Sequence, residues 1–148
     1  MWQIKKFNEL TIDELYSIMR LRVKTFVVEQ NRIYQELDNQ DQSALHLFNL
    51  DENGEIVAYA RIFLVDNNQK VSFGRVVTSD KVRGQGFGGK LLDQIMEAIQ
   101  KFFPNKEIVI EAQVQVQDFY KRVGFKSVGE PFIYNLTPHV KMIHEGLK

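Results

Sequence analysis

A chain of 148 residues, 44% of them hydrophobic, has material for one hydrophobic core but not for two. Nineteen basic residues balance nineteen acidic ones, so no net field draws the chain to nucleic acid or an anionic membrane, and any anion site has to be local. The absence of cysteine excludes disulfides, thiolate catalysis and sulfur-held zinc, and three widely spaced histidines make no metal motif. No run approaches the roughly 20 apolar residues of a membrane span. The N-terminus, MWQIKKFNEL, lacks an uninterrupted apolar stretch, which makes the cytoplasm the expected location.

Residues 2 to 7 alternate as a short first strand. Thr11 and Glu14 form a T-x-x-E capping box, and Ile12, Leu15, Met19, Val23 and Phe26 recur at helical spacing, predicting a helix over 11–26. From Val27 to Ser43 the chain is polar and acidic without a sustained period, as in an extended loop with at most a helical turn. Loops of that length in a compact domain are usually functional or disordered. LHLFNL, the turn DENG and IVAYARIFLV predict a hairpin, and VDNNQK leads to a third strand, VSFGRVVT. Beyond a glycine-rich stretch, Phe87, Leu91, Ile95 and Ile99 fall four apart on an amphipathic helix that Pro104 terminates. EIVIEAQ reads as a buried strand, VQDFYKRVGF as a short helix closed by Gly124, and FKSVGEPFIY and PHVKMIHE as two last strands. The pattern is that of an α/β sheet of mixed direction in one domain over 1–148.

The stretch RGQGFGGKL fits three phosphate-binding templates. Gly84 through Lys90 satisfy the ATP or GTP loop G-x-x-x-x-G-K-[ST] except that Leu91 stands where a magnesium-binding hydroxyl is required. Gly84, Gly86 and Gly89 satisfy the dinucleotide fingerprint G-x-G-x-x-G. That fingerprint opens a dinucleotide sheet, whereas here about 80 residues precede it and few strands follow. Arg83, Gly86 and Gly88 satisfy R-x-x-G-x-G, in which glycines let several backbone N–H groups approach one diphosphate at a helix N-terminus.

With the third template the stretch RVVTSDKVRGQGFGGKLL resembles motif A of the GNAT superfamily of acyl-CoA-dependent N-acetyltransferases. Phe119, Tyr120, Gly124 and Phe125 reproduce its later F-Y-x-x-x-G-F signature. The phrases FVVEQ, ELDNQD, LHL, AYARI, GRVV, EAQ, FYKRVGF and PHVKM are similar to the ElaA-like branch over nearly the whole chain. Departures are Thr78, where an apolar residue is common, and Gln113, where many members have asparagine.

The resemblance implies a single-domain α/β fold. Its sheet is mixed and mostly antiparallel, with a splayed parallel pair at the acetyl-CoA site and helices flanking it. It further implies that acetyl-CoA, as acyl donor and without metal, pairs with backbone of Val76, Val77 and Thr78. Amides from Arg83, Gly84, Gln85, Gly86, Phe87, Gly88 and Gly89 would hold its pyrophosphate, with Gln113 and Phe119 beside it. A strand amide would polarise the thioester carbonyl. Tyr120 matches the family's general acid at the coenzyme sulfur; otherwise it is a helix tyrosine packed on Phe119. Glu111 shares a strand face with Gln113 and is a candidate base through water, or else a solvated glutamate.

On the acceptor side, Glu29, Glu36 and His46 are the candidates, the acidic loop suiting a cationic amine. His46 faces away from Leu45 and Leu47 and reads first as a satisfied structural histidine; the same holds for His139, while His144 reads as a surface residue. The expected partner is a small-molecule or peptide amine, with no nucleic acid or membrane, and pairing of copies is carried over from relatives as a homodimer. A non-catalytic acyl-CoA sensor would keep the glycine loop but have no need of Tyr120. A nucleotide-dependent enzyme is handicapped by Leu91 and the missing sheet elements.

Overall fold

In the computed structural model, which describes all 148 residues, the Thr11 hydroxyl accepts from Glu14 N–H (3.0 Å) and the Glu14 carboxylate from Thr11 N–H (2.9 Å). This capping box opens α1, Ile12–Arg22. The helical path does not stop there. It widens into π-helical turns over Val23–Glu29, so the helical backbone runs three residues past the sequence expectation, and Phe26 is carried into the core. The second long helix, α2 (Phe87–Phe102), buries Leu91, Leu92, Ile95, Ala98 and Ile99, the stripe its spacing foretells. A short α3, Gln117–Lys121, ends near Gly124, whose φ of +102° suits glycine.

Seven strands, β1 (Trp2–Lys6), β2 (Leu45–Leu50), β3 (Ile56–Val65), β4 (Lys70–Thr78), β5 (Ile108–Gln113), β6 (Lys126–Tyr134) and β7 (Thr137–His144), form one sheet in the order β1-β2-β3-β4-β5-β7-β6. Every neighbouring pair is antiparallel except β4 and β5, which α2 joins as a parallel pair. This is the mixed, mostly antiparallel sheet implied by the resemblance.

Period-two alternation sorts the two faces. Leu47, Ala58, Ala60, Ile62, Ile110, Ala112, Val140 and Met142 pack with α2. Phe48, Tyr59 and Val77 face the other way onto Ile18, Leu21 and Phe26. No helix is long and apolar enough to cross a membrane.

Two irregularities shape the middle of the sheet. Between the pairs Tyr59↔Val77 and Arg61↔Gly74, two steps along β3 span three along β4, a β-bulge that sets Arg75 at φ +53°. Beside it, β4 and β5 pair only at Val71↔Ile108 and then part. The β5-facing edge of β4 beyond Val71 is therefore left without a strand partner.

Candidate active site

The parting of β4 and β5 opens a cleft of about 810 Å³, lined on β4 by Val76, Val77 and Thr78, on β5 by Glu111, Ala112 and Gln113, and by Arg83, Gly88, Phe119 and Tyr120. At its mouth the chain turns from β4 into α2 through Gly84 (φ +80°) and Gly86 (φ +76°), positions where a side chain would strain the backbone. Gly88 and Gly89 carry no such requirement. The first helical hydrogen bond runs from Lys90 N–H to Gly86 C=O (3.2 Å), so the amides of Phe87, Gly88 and Gly89 lack helical acceptors and sit at the positive end of α2. The Gln85 amide, by contrast, is already bonded to Val82 C=O (3.2 Å). The Arg83 guanidinium is half-exposed and meets Glu29 at 3.1 Å.

Tyr120 is buried, with its ring against Phe119 (5.1 Å between centroids), Phe73 (5.9 Å) and Phe125 (6.0 Å). Its packing on Phe119 and its place in the cleft therefore occur together. Burial alone pushes the phenol's pKa well up, so the hydroxyl keeps its proton at neutral pH. Glu111 is exposed within the cleft and stands opposite Lys141 in the β5–β7 register, as Gln113 stands opposite His139. These four residues share the sheet face opposite α2.

His139 lines the cleft and is buried. Its Nδ1 lies 2.7 Å from the Thr137 carbonyl, which can only accept, so Nδ1 carries the proton and Nε2 the lone pair. Burial, with a smaller push from Arg32 and Arg75, lowers its pKa below the usual value and keeps the ring neutral, outweighing the Thr137 hydrogen bond and Glu111. His144 is not a surface residue: it is half-buried, bonded through Nε2 to the Val123 carbonyl (3.0 Å), and packed on Phe125.

The acidic loop is a structural element. Arg22, fully buried, meets Glu36 (2.6 Å) and Asp41 (2.8 Å); Arg61 meets Asp38 (2.6 Å) and Asp41 (3.0 Å); Arg75 meets Glu36 (3.0 Å) and Asp38 (3.4 Å). Three guanidinium groups thus neutralise three carboxylates, and the Tyr34 hydroxyl donates to Glu36 as well. Burial would raise Asp38, but its hydrogen bonds and charge attraction to Arg61 prevail and bring its pKa to about 2. Tyr34, partly buried and bonded to Glu36, is pushed up to about 12.

His46 is fully buried, with Nδ1 2.7 Å from the Tyr59 hydroxyl and Nε2 2.9 Å from the Asp41 carbonyl. The residues expected on the acceptor side lie apart from the cleft. Glu36 is enclosed by two arginines, His46 has both nitrogens engaged, Glu29 is paired with Arg83, and none of the three lines the cleft. What sequence reasoning left out is Arg32, which does line it; as one basic residue in an acidic loop it carried no motif.

Comparison with known proteins agrees with this geometry. The model of the acetyltransferase (GNAT) domain family matches residues 12–145. The protein ElaA of Escherichia coli is 36% identical over 99% of this chain and 97% of its own, and a UPF0039 protein of Schizosaccharomyces pombe is 40% identical over 93% and 92%. The crystal structure of ElaA superposes with a TM-score of 0.90 over 98% of this chain and 99% of that one. An acyl-CoA N-acyltransferase from Pseudomonas aeruginosa, 34% identical, superposes with a TM-score of 0.89 over 97% of both.

Proposed function

The chain belongs to the GNAT acetyltransferase family, whose members are acyl-CoA-dependent acyltransferases, and from that premise we propose that it transfers an acetyl group from acetyl-CoA to a primary amine. The observation that carries this reading is the parted pair β4–β5, joined only at Val71↔Ile108. An extended pantetheine arm fits along the unpartnered edge at Val76, Val77 and Thr78 as a strand would, and the amides of Phe87, Gly88 and Gly89 suit its diphosphate. Arg83, Gly84, Gln85 and Gly86 shape that loop, while Gln113 and Phe119 flank the arm. Metal is not required by this chemistry.

On this reading the amine attacks the thioester carbon, the C–N bond forms and the C–S bond breaks. A β4 amide stabilises the developing oxyanion, and the Tyr120 hydroxyl gives its proton to the departing thiolate. The proton shed by the amine goes to the β5–β7 face, where His139 Nε2 is a neutral acceptor and Glu111 a charged one.

The test is thermal unfolding with acetyl-CoA, CoA, NAD or ATP, with and without magnesium, followed by thiol release on adding amines. At about 100 times the dissociation constant, acetyl-CoA and CoA should each stabilise the fold by roughly 2.7 kcal/mol. Stabilisation by NAD or ATP alone would remove the coenzyme assignment and the chemistry built on it. Binding of CoA with no thiol release to any amine would favour a sensor.

A further inference from the structure

The charges of the cleft do not all find partners, and those left over have opposite signs. Arg32 is 8% exposed, yet no carboxylate lies within 4.0 Å of it. Its Nε donates to the Phe26 carbonyl (3.1 Å) and its Nη1 to the Asn135 carbonyl (3.1 Å) and the Thr137 hydroxyl (3.0 Å), which leaves Nη2 with no partner in the protein. The guanidinium lies 4.6 Å from the Tyr34 ring centroid, so it is held rigidly. Nη2 is not enclosed by protein and stays open to the cleft, where an anionic group could complete the guanidinium. The neighbouring carboxylates cannot do so, because Glu36, Asp38 and Asp41 are already matched by Arg22, Arg61 and Arg75.

Across the same cleft, Glu111 makes no ion pair, and its register partner Lys141 does not reach it. His139 lines the same cleft as both, and it senses Arg32 and Arg75 as charges that lower its pKa and Glu111 as one that raises it. The complement of this arrangement is a zwitterion. We propose that the acceptor is a small amino acid-like molecule carrying both amine and carboxylate, the carboxylate pairing with Arg32 Nη2 and the amine facing Glu111 and His139. This inference rests on the acyl-transfer reading and assigns its acceptor class. It also reverses the sequence expectation of an acidic, cation-selecting loop: once the internal pairs are formed, the loop presents a positive charge.

The test uses the unmodified protein with acetyl-CoA and matched acceptors, each common amino acid beside the amine that remains when its carboxylate is removed. Thiol release gives kcat/KM for each, and thermal shift in the presence of CoA gives acceptor binding without turnover. The best amino acid should exceed its decarboxylated partner by roughly 10- to 100-fold in kcat/KM, as expected for one charge-assisted pair. It should also raise the melting temperature of the CoA complex where the plain amine does not. In Arg32→Gln that ratio should collapse toward one through KM, with Arg32→Lys intermediate and both variants checked for cooperative melting.

Equal or better use of the decarboxylated amines by the unmodified protein overturns the acceptor class and leaves acyl transfer standing. A preference that persists in a folded Arg32→Gln overturns the role of Arg32. Absence of thiol release with every acceptor, although CoA binds, overturns the transfer reading and this inference together.

Discussion

A phenol that is to donate a proton must hold it until the thiolate forms. Burial among Phe73, Phe119 and Phe125 gives Tyr120 that property by raising its pKa, while the residue lines the cleft and no protein group is hydrogen-bonded to its hydroxyl. Replacing Tyr120 with phenylalanine keeps the ring packing and removes only the donor. Under the proposed mechanism, kcat should fall by about 10²-fold or more when bond breaking limits turnover, with CoA affinity within a factor of a few of the parent. Single-turnover thiol release checks this, and donors with more acidic thiols should be less affected, since their thiolates leave without help. An unchanged rate would return Tyr120 to a packing role.

At the scale of elements, legibility follows the range of the interactions. The glycine loop and the Phe119–Phe125 signature are local strings whose meaning is set within a few residues, and the amphipathic stripe of α2 is equally local. Arg32 acquires its place from pairings over a hundred residues long, such as Nη1 with Thr137 (3.0 Å), and His139 from the pairing of β7 with β5, neither of which a local period reports. The segment 27–43 reads as a loop and is one between its short helical turns, and the ion pairs with α1, β3 and β4 that order it leave no hydrophobic alternation in the sequence.

The glycines of the loop are also separable by backbone conformation. Gly86 at φ +76° caps α2 in the left-handed region, whereas Gly89 is helical with open space around it. Gly86→Ala should lose about 1–2 kcal/mol of stability, read as a fall of a few degrees in melting temperature. Gly89→Ala should be neutral or gain up to roughly 1 kcal/mol. If both melt alike, the left-handed turn is not what the sequence needs glycine for.

For the molecule as a whole, acid should be the most informative perturbant. Asp38 has its pKa brought to about 2 by Arg61 against the effect of burial, and Asp41 is lowered by Arg22 and Arg61 in the same way. Both have ordinary values of 3.8, so the unfolded chain binds more protons below that point. Their contribution is complete above the ordinary carboxylate value and is lost as pH falls below it, in the case of Asp38 toward about 2. The buried histidines act earlier. Burial lowers His46 and His139 below their ordinary 6.5, so the unfolded chain takes up those protons first, and stability begins to decline as pH drops through 6.5.

Urea midpoints measured from pH 7.5 to 2.5 should therefore show a shallow loss beginning near pH 6.5 and a steeper one below about pH 4. Asp38→Asn should start from lower stability at pH 7 and flatten the lower limb, because the charge that protonation would remove is already absent. Because the pairs are buried, 0.5 M salt should shift the neutral-pH midpoint little, in contrast to exposed pairs such as Lys24–Asp80. A midpoint constant down to pH 3 would mean that the loop is held by contacts other than its carboxylates. The positive charge left at Arg32 would then lose the argument that no neighbouring acid is free to meet it.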